Sequence, residues 1–197
     1  MLVSGGGSNL QAILDAIDSG RLDSVSVELV ISSNREAYAL KRAESRGIPT
    51  MVIDAVGWPK PRERDERLLE VLKELDPDLI VLAGYMKILP ESIIGRFPRR
   101  IINIHPSLIP QYCGEGFYGM RVHRAVLEAG EMVSGATVHY VDEGVDTGEI
   151  LLQEQVPVRS GDTPESLAAR VLETEHRILP EVIDKISRQI SNIDIEG

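Results

Sequence analysis

The stretch Ile102-Asn103-Ile104-His105-Pro106 combines a short apolar run with two polar side chains. Isoleucine alternates with Asn103 and His105, and side chains along a strand point alternately to opposite faces. Both polar side chains therefore share one face of a predicted strand, at the end of that strand. Ligands bind outside the carboxyl ends of strands in open α/β sheets, so the stretch predicts a binding site there.

Asn103 and His105 are the first candidate catalytic residues. A histidine and an amide at a strand end can polarise a carbonyl group and stabilise a developing oxyanion. The alternative is a core histidine that bonds to a backbone carbonyl, with Asn103 as a turn former. The residues by themselves leave both interpretations open.

Short apolar runs alternate with amphipathic stretches through the first half of the chain, which is typical of a parallel α/β sheet. Strands are predicted at residues 25–32, 50–54, 79–83 and 100–104. Apolar residues recur at helical spacing over 10–17 and again over 68–75. The predicted fold class is α/β, with a mostly parallel, open twisted sheet and helices on both faces. The first strand, at residues 1–3, looks too short, so we expect the natural start to lie upstream of Met1.

The pattern changes after residue 130. Two long strands are predicted at 136–141 and 150–158, as an antiparallel pair. Thr163-Pro164-Glu165 favours a helix start, with threonine as the N-cap and proline at the first helical position. We expect this helix to run to about Ile178. Pro180 would then break or kink it, and a second helical stretch would follow to about Ile190.

The segment Ser4-Gly5-Gly6-Gly7-Ser8-Asn9 follows the first strand and opens a helix. Glycines let backbone N–H groups approach an anion closely, and a helix N-terminus offers further donors. The segment is neither a Walker A loop nor a G-x-G-x-x-G loop. It predicts a phosphate site, and the alternative is a tight turn with a capping serine.

The loop from Asp142 to Gly148 carries acids and glycines between the two long strands. Such a loop is commonly a solvated hairpin end or a weak cation site, but the EF-hand ligand spacing is absent. One of its aspartates could pair with His105, orient the imidazole and favour its cationic form. We predict no metal site.

The length of 197 residues predicts a single domain at 1–197, with halves at about 1–100 and 101–197. The formal net charge is −10. The negative charge opposes nucleic acid and anionic membranes. Cys113 is the one cysteine, and no apolar run is long enough to span a bilayer. These features are compatible with a cytoplasmic protein without a signal peptide. We expect a monomer or homodimer.

Five stretches together resemble the folate-dependent formyltransferases, in particular the phosphoribosylglycinamide formyltransferases. They are SGGGSNLQAI, DLIVLAGYMKIL, NIHPSLIP, GATVHYVDEGVDTG and TEHRILP. The resemblance implies a Rossmann-like formyltransferase fold. It also implies the substrates 5-phosphoribosyl-glycinamide and 10-formyltetrahydrofolate, in de novo purine biosynthesis. Two departures are Gly6, where several members carry Asn, and a longer segment at 111–120.

The resemblance also assigns roles to individual residues. The catalytic trio would be Asn103, His105 and Asp146. The substrate phosphate would be held by Gly7, Ser8 and Asn9, and the ribose by Glu175. The folate site would be formed by Arg62, Met86, Lys87, Ile88, Leu89, Asn103, Asp142, Glu143, Gly144, Val145 and Asp146.

Three rival functions remain at this point. Methionyl-tRNA formyltransferases and formyltetrahydrofolate hydrolases resemble the chain around the Asn-x-His-Pro-Ser block. The former need a basic tRNA-binding domain and the latter carry a regulatory domain. A non-catalytic phosphate-binding module would use the glycine segment but would not need Asn103, His105 and Asp146 together.

Overall fold

A computed structural model describes residues 1–196. Within these residues the strands are β1 Leu2–Val3, β2 Val30–Ser32, β3 Thr50–Val52, β4 Ile80–Leu82, β5 Ile101–His105, β6 Val133–Tyr140 and β7 Ile150–Pro157. The helices are α1 Ser8–Asp18, α2 Tyr38–Glu44, α3 Pro61–Leu75, α4 Glu91–Ile94, α5 Met120–Glu128 and α6 Pro164–Glu196.

The strands form one sheet in the order β3-β2-β1-β4-β5-β6-β7. The ladders from β3 through β5 are parallel, and β6 pairs with β7 antiparallel. The predicted fold class, a mostly parallel α/β sheet with an antiparallel pair in the C-terminal part, is therefore confirmed. The strand order reverses between β1 and β4, where Leu2 lies opposite Leu82. In doubly wound sheets such a reversal opens a crevice at the carboxyl ends of the strands.

Two compact units can be distinguished in the chain. The first, here the loop unit, comprises Met1–Leu10, Val27–Asn103 and Tyr140–Glu149. The second, here the helical unit, comprises Gln11–Ser26, Ile104–His139 and the residues from Ile150 onward. The expected single domain with sequential halves stays a prediction.

Aliphatic side chains fill the core of the loop unit, and Phe97 is a fully buried aromatic residue among them. Strand residues Leu2 and Ile80 pack there with Leu68 and Leu72 from α3. Of the helical spacing predicted over 68–75, Leu68, Val71 and Leu72 form the buried face of α3, whereas Leu75 is exposed. In the helical unit, α6 packs against both α5 and β7.

The strand predicted at 25–32 is shorter in the structure, where β2 covers only Val30–Ser32. The cause is the register of its neighbours. Strand β3 begins at Thr50, opposite Val30, and β1 begins at Leu2, opposite Ile31. Residues 25–29 therefore precede the point where either neighbouring strand begins to pair.

Of the two effects expected of Pro180, a break or a kink, the break is wrong, because α6 continues through this residue. Its start agrees with the prediction: Ser166 N–H donates to Thr163 Oγ1 at 3.2 Å, and Ser166 Oγ accepts from Thr163 N–H at 3.0 Å. Proline removes one helical hydrogen bond. The side chains on both sides of Pro180 are nevertheless buried, which holds the helix together: Ile178, Leu179, Val182 and Ile183.

Among residues 1–196, no helix has the length and apolar character needed to cross a membrane.

Candidate active site

The segment Ser4–Asn9, here the phosphate loop, passes from β1 directly into the first turn of α1. Gly7 has φ +70°, in the left-handed region that favours glycine. A Cβ atom at Gly7 would lie 2.6 Å from the Cβ of Ala39, which is closer than carbon atoms can pack. Both the conformation and the close approach to α2 therefore require glycine at this position.

Helix α2 holds the phosphate loop by two hydrogen bonds. The backbone N–H of Ala39 donates to the carbonyl of Gly5 at 3.1 Å. The guanidinium Nε of Arg42 donates to the carbonyl of Gly6 at 2.9 Å. Consecutive loop carbonyls are thus both directed toward α2.

The hydroxyl of Ser4 connects the phosphate loop with the segment that follows β4. The backbone N–H of Met86 donates to Ser4 Oγ at 2.9 Å. Ser4 Oγ also lies 2.6 Å from Ser33 Oγ at the end of β2. The carboxyl ends of β1, β2 and β4 are therefore joined by hydrogen bonds at the point where the strand order reverses.

The segment Met86–Leu89, here the apolar segment, follows β4 and Tyr85. Leu89 is buried, whereas Met86 is 50 % and Ile88 is 69 % exposed. Burial, with the nearby Asp65 carboxylate, raises the pKa of Tyr85 to about 12, so its phenol is neutral at physiological pH. Exposed aliphatic side chains here can contact a flat organic ring.

Asn103 and Asp146 are brought together in the loop unit. The Asn103 side-chain amide donates to Asp146 Oδ1 at 3.4 Å. Asp146 has φ +58°, an uncommon conformation for a residue other than glycine. Its loop is closed by Asp142, whose Oδ1 accepts from Gly144 N–H at 3.2 Å and from Thr147 Oγ1 at 2.7 Å.

His105 ends β5 and is buried, with 5 % of its surface exposed. Its Nε2 lies 2.9 Å from the carbonyl oxygen of Tyr112. A carbonyl can only accept a hydrogen bond, so Nε2 must carry the hydrogen. The imidazole can then donate through Nδ1 only in its doubly protonated, cationic form.

Tyr112 presents its carbonyl to His105 from a strained position with φ +51°. Its phenol donates to Glu131 Oε1 at 2.8 Å, and its ring meets Phe117 edge-on at 6.1 Å. These contacts anchor the start of the segment 111–120. Burial, together with the charge of His105, lowers the pKa of the neighbouring His123 to about 4, so His123 is neutral at physiological pH.

The other predicted site residues lie in different surroundings. Glu175 is buried on α6, with 8 % exposure. Arg62 lies in the first turn of α3, where its largely exposed side chain pairs with Glu66 at 2.7 Å. Over residues 1–196, no group of three or more His, Cys, Asp or Glu side chains is arranged to hold a metal ion.

Comparison with known proteins settles the family. The formyl transferase family model matches residues 1–183. The chain belongs to the formyl transferase family. The membership expected from the sequence resemblance is thereby confirmed.

Several relatives of this family are named for one activity. The chloroplastic phosphoribosylglycinamide formyltransferase of Arabidopsis thaliana is 41 % identical over 96 % of this chain and 65 % of its own length. Phosphoribosylglycinamide formyltransferase of Escherichia coli is 39 % identical over 93 % of this chain and 84 % of its own length. The crystal structure of glycinamide ribonucleotide transformylase 1 from Symbiobacterium toebii has a TM-score of 0.88 and 44 % identity, over 95 % of this chain and 86 % of that one.

The chain spans less than two thirds of the plant relatives, 65 % of the Arabidopsis protein and 60 % of the Vigna unguiculata protein. The activity in these names is that of the relatives, and for this chain it supports a proposed function.

Three contributors to the site were missed by reasoning from the sequence: Ser4 as a connecting hydroxyl, Arg42 and Tyr112. Ser4 was part of the predicted loop, but its bond to Met86 spans 82 positions. Arg42 lies on the short helix α2, where a half-buried cation gives no particular signal. The segment 111–120 was noted for its length, and its glycines were the available signal that the backbone there is unusual.

We expect Gly7→Ala to lower the free energy of unfolding by about 1–3 kcal/mol, because the new methyl group collides with Ala39 in a backbone conformation that alanine disfavours. Urea unfolding measures this change. Gly5→Ala is the matched control, because a Cβ there meets no atom within 4 Å. Equal stability of the two variants would contradict the close packing of the loop on α2.

We expect Tyr112→Phe to lower kcat several-fold with little change in either KM, because loss of the bond to Glu131 loosens the carbonyl that orients His105. Steady-state kinetics with the expected substrates, 5-phosphoribosyl-glycinamide and 10-formyltetrahydrofolate, measure kcat and the two KM values. Tyr118→Phe, in the same segment but exposed, is the control. A wild-type kcat in Tyr112→Phe would show that the bond to Glu131 is not needed for the orientation of His105.

Proposed function

We propose that this chain transfers the formyl group of 10-formyltetrahydrofolate to the amino group of 5-phosphoribosyl-glycinamide in purine biosynthesis. The observation that carries the proposal is the bond from Met86 N–H to Ser4 Oγ. It joins a glycine-rich loop suited to a phosphate with an apolar segment suited to a folate ring, at the reversal of the strand order. The names of the relatives agree with formyl transfer to phosphoribosylglycinamide.

Gly7, Ser8 and Asn9 bind the phosphate of the amine substrate in this proposal. Support comes from the loop's position at the N-terminus of the eleven-residue helix α1, where backbone donors and the helix dipole favour an anion. A local site of this kind is needed because the net charge of −10 repels anions at long range. Glu175 contacts the ribose hydroxyl groups as an acceptor.

The folate binds along the apolar segment and the loop of residues 142–146. Exposure of Met86 and Ile88 supports this, because a flat ring lying on these side chains would remove apolar surface from water, which is favourable. The remaining residues proposed for this substrate are Arg62, Lys87, Leu89, Asn103, Asp142, Glu143, Gly144, Val145 and Asp146. Exposure of Arg62 leaves its guanidinium accessible to the distal carboxylates of a folate.

The reaction joins the amine nitrogen to the formyl carbon and then breaks the bond between that carbon and N10 of the folate. Negative charge develops on the formyl oxygen in the tetrahedral intermediate, and one proton passes from the amine to N10. Asn103 and His105 donate hydrogen bonds to the oxygen, which lowers the barrier because donors are in place before the charge appears.

His105 performs this role as a cation. Its Nε2–H is directed to the Tyr112 carbonyl, so Nδ1 must also be protonated in order to donate. Asp146 orients the Asn103 amide, to which it is bonded, and orders a water molecule that relays the proton. We also propose a cytoplasmic location, no nucleic-acid, membrane or metal partner, and a monomeric or homodimeric state.

An assay of folate release separates this function from its rivals. The purified chain is mixed with 10-formyltetrahydrofolate, with and without 5-phosphoribosyl-glycinamide, and deformylated folate is followed by absorbance. We expect release only with the amine present, at a rate that grows with amine concentration until the site saturates.

Release with water alone would contradict the proposal in favour of a hydrolase. No release under either condition would favour a non-catalytic phosphate-binding module. Formylation of methionyl-tRNA, tested as a third acceptor, would favour the tRNA-directed activity of this family.

A further inference from the structure

Arg42 supplies a side-chain contact that holds the phosphate loop to α2. Its Nε donates to the Gly6 carbonyl at 2.9 Å, beside the bond from Ala39 N–H to the Gly5 carbonyl. A bond from a cation to a carbonyl is stronger than a bond between neutral groups. Arg42 is therefore a principal constraint on the orientation of the Gly6 carbonyl.

The direction of a carbonyl determines the direction of the next N–H group. In a trans peptide the C=O of one residue and the N–H of the following residue point to opposite sides. The cis peptide bond among the described residues is Ile109–Pro110, so the loop peptides are trans. With the carbonyls of Gly5 and Gly6 directed toward α2, the N–H groups of Gly6 and Gly7 point away from α2, side by side.

We propose that Arg42 is a positioning residue for phosphate recognition, which turns the N–H groups of Gly6 and Gly7 toward the phosphate of the amine substrate. This inference rests on the proposed function, in which the phosphate loop binds that phosphate. Arg42 acts through the Gly6 carbonyl and does not itself take part in formyl transfer.

Tyr38 holds the guanidinium of Arg42 in place. The guanidinium carbon lies 5.0 Å from the centre of the Tyr38 ring, a cation–π distance. Arginine suits this position because its planar group can stack on a ring and donate to a carbonyl at once, which lysine cannot do equally well. The cation also raises the local potential beside the loop in a protein of net charge −10.

The test compares Arg42→Met, Arg42→Lys and the control Lys41→Met. Lys41→Met removes the same charge from the same helix, and the ammonium of Lys41 lies over the Tyr38 ring at 5.9 Å. For each protein, kcat and both KM values are measured, and binding of inorganic phosphate is measured by calorimetry. Wild-type formyl transfer in the same series reports separately on the proposed function.

We expect Arg42→Met to raise the KM for 5-phosphoribosyl-glycinamide and the Kd for phosphate about tenfold, as for loss of one charge-assisted bond. The KM for the formyl donor and kcat should stay within about twofold, and Lys41→Met should resemble wild type. Arg42→Lys should give an intermediate increase. It retains the charge and is the variant on which the inference is judged if Arg42→Met does not fold.

Three results would overturn the inference. One is an unchanged KM for the amine in an active Arg42→Met enzyme. Another is an equal rise in both KM values, which is the behaviour of a general structural defect. The third is an equal effect of Lys41→Met, which would assign the change to charge alone.

Discussion

Parallel pairing of β1 with β4 is the interaction on which both proposed binding segments depend. It places Leu2 opposite Leu82 and so brings the residues after each strand to the same edge of the sheet. The Ser4 hydroxyl then bonds to the Met86 amide across that edge. Because the strand order reverses here, the connections leave in opposite directions and the edge stays accessible to ligands. A buried apolar core that includes Leu2, Leu72 and Phe97 stabilises this pairing.

Two of the proposed catalytic side chains are oriented by other groups. Asn103 bonds to Asp146, which is in a left-handed conformation, and His105 bonds to the carbonyl of Tyr112, which is in another. Strained residues of this kind persist where the surrounding structure over-determines them, and they cluster at functional sites. The proposed reaction develops charge on an oxygen and needs donors that are already oriented.

The fold was predictable where local pattern and pairing agree. The alternation at Ile102-Asn103-Ile104-His105 identified β5, and the apolar spacing of Leu68 and Leu72 identified α3. Prediction failed where contacts with distant residues determine the bounds of an element. Strand β2 starts at Val30 because its neighbours start pairing there. Helix α6 continues through Pro180 because the side chains on both sides are buried. For the site, the glycine loop and Asn103 with His105 could be found from sequence. The bonds to Asp146, 43 positions away, and from Arg42 to the Gly6 carbonyl depend on the folded chain.

The proposed role of His105, as a cation, is to donate a hydrogen bond to the formyl oxygen during transfer. The decisive measurement is single-turnover formyl transfer by His105→Asn, with both substrates bound before the reaction is started. We expect a rate about 10²–10³ lower than wild type with substrate binding retained, because one donor to the oxygen is weakened and its charge is lost. His176→Asn, a half-buried histidine on α6, should transfer at the wild-type rate. A near-normal rate in His105→Asn would show that His105 does not donate to the formyl oxygen.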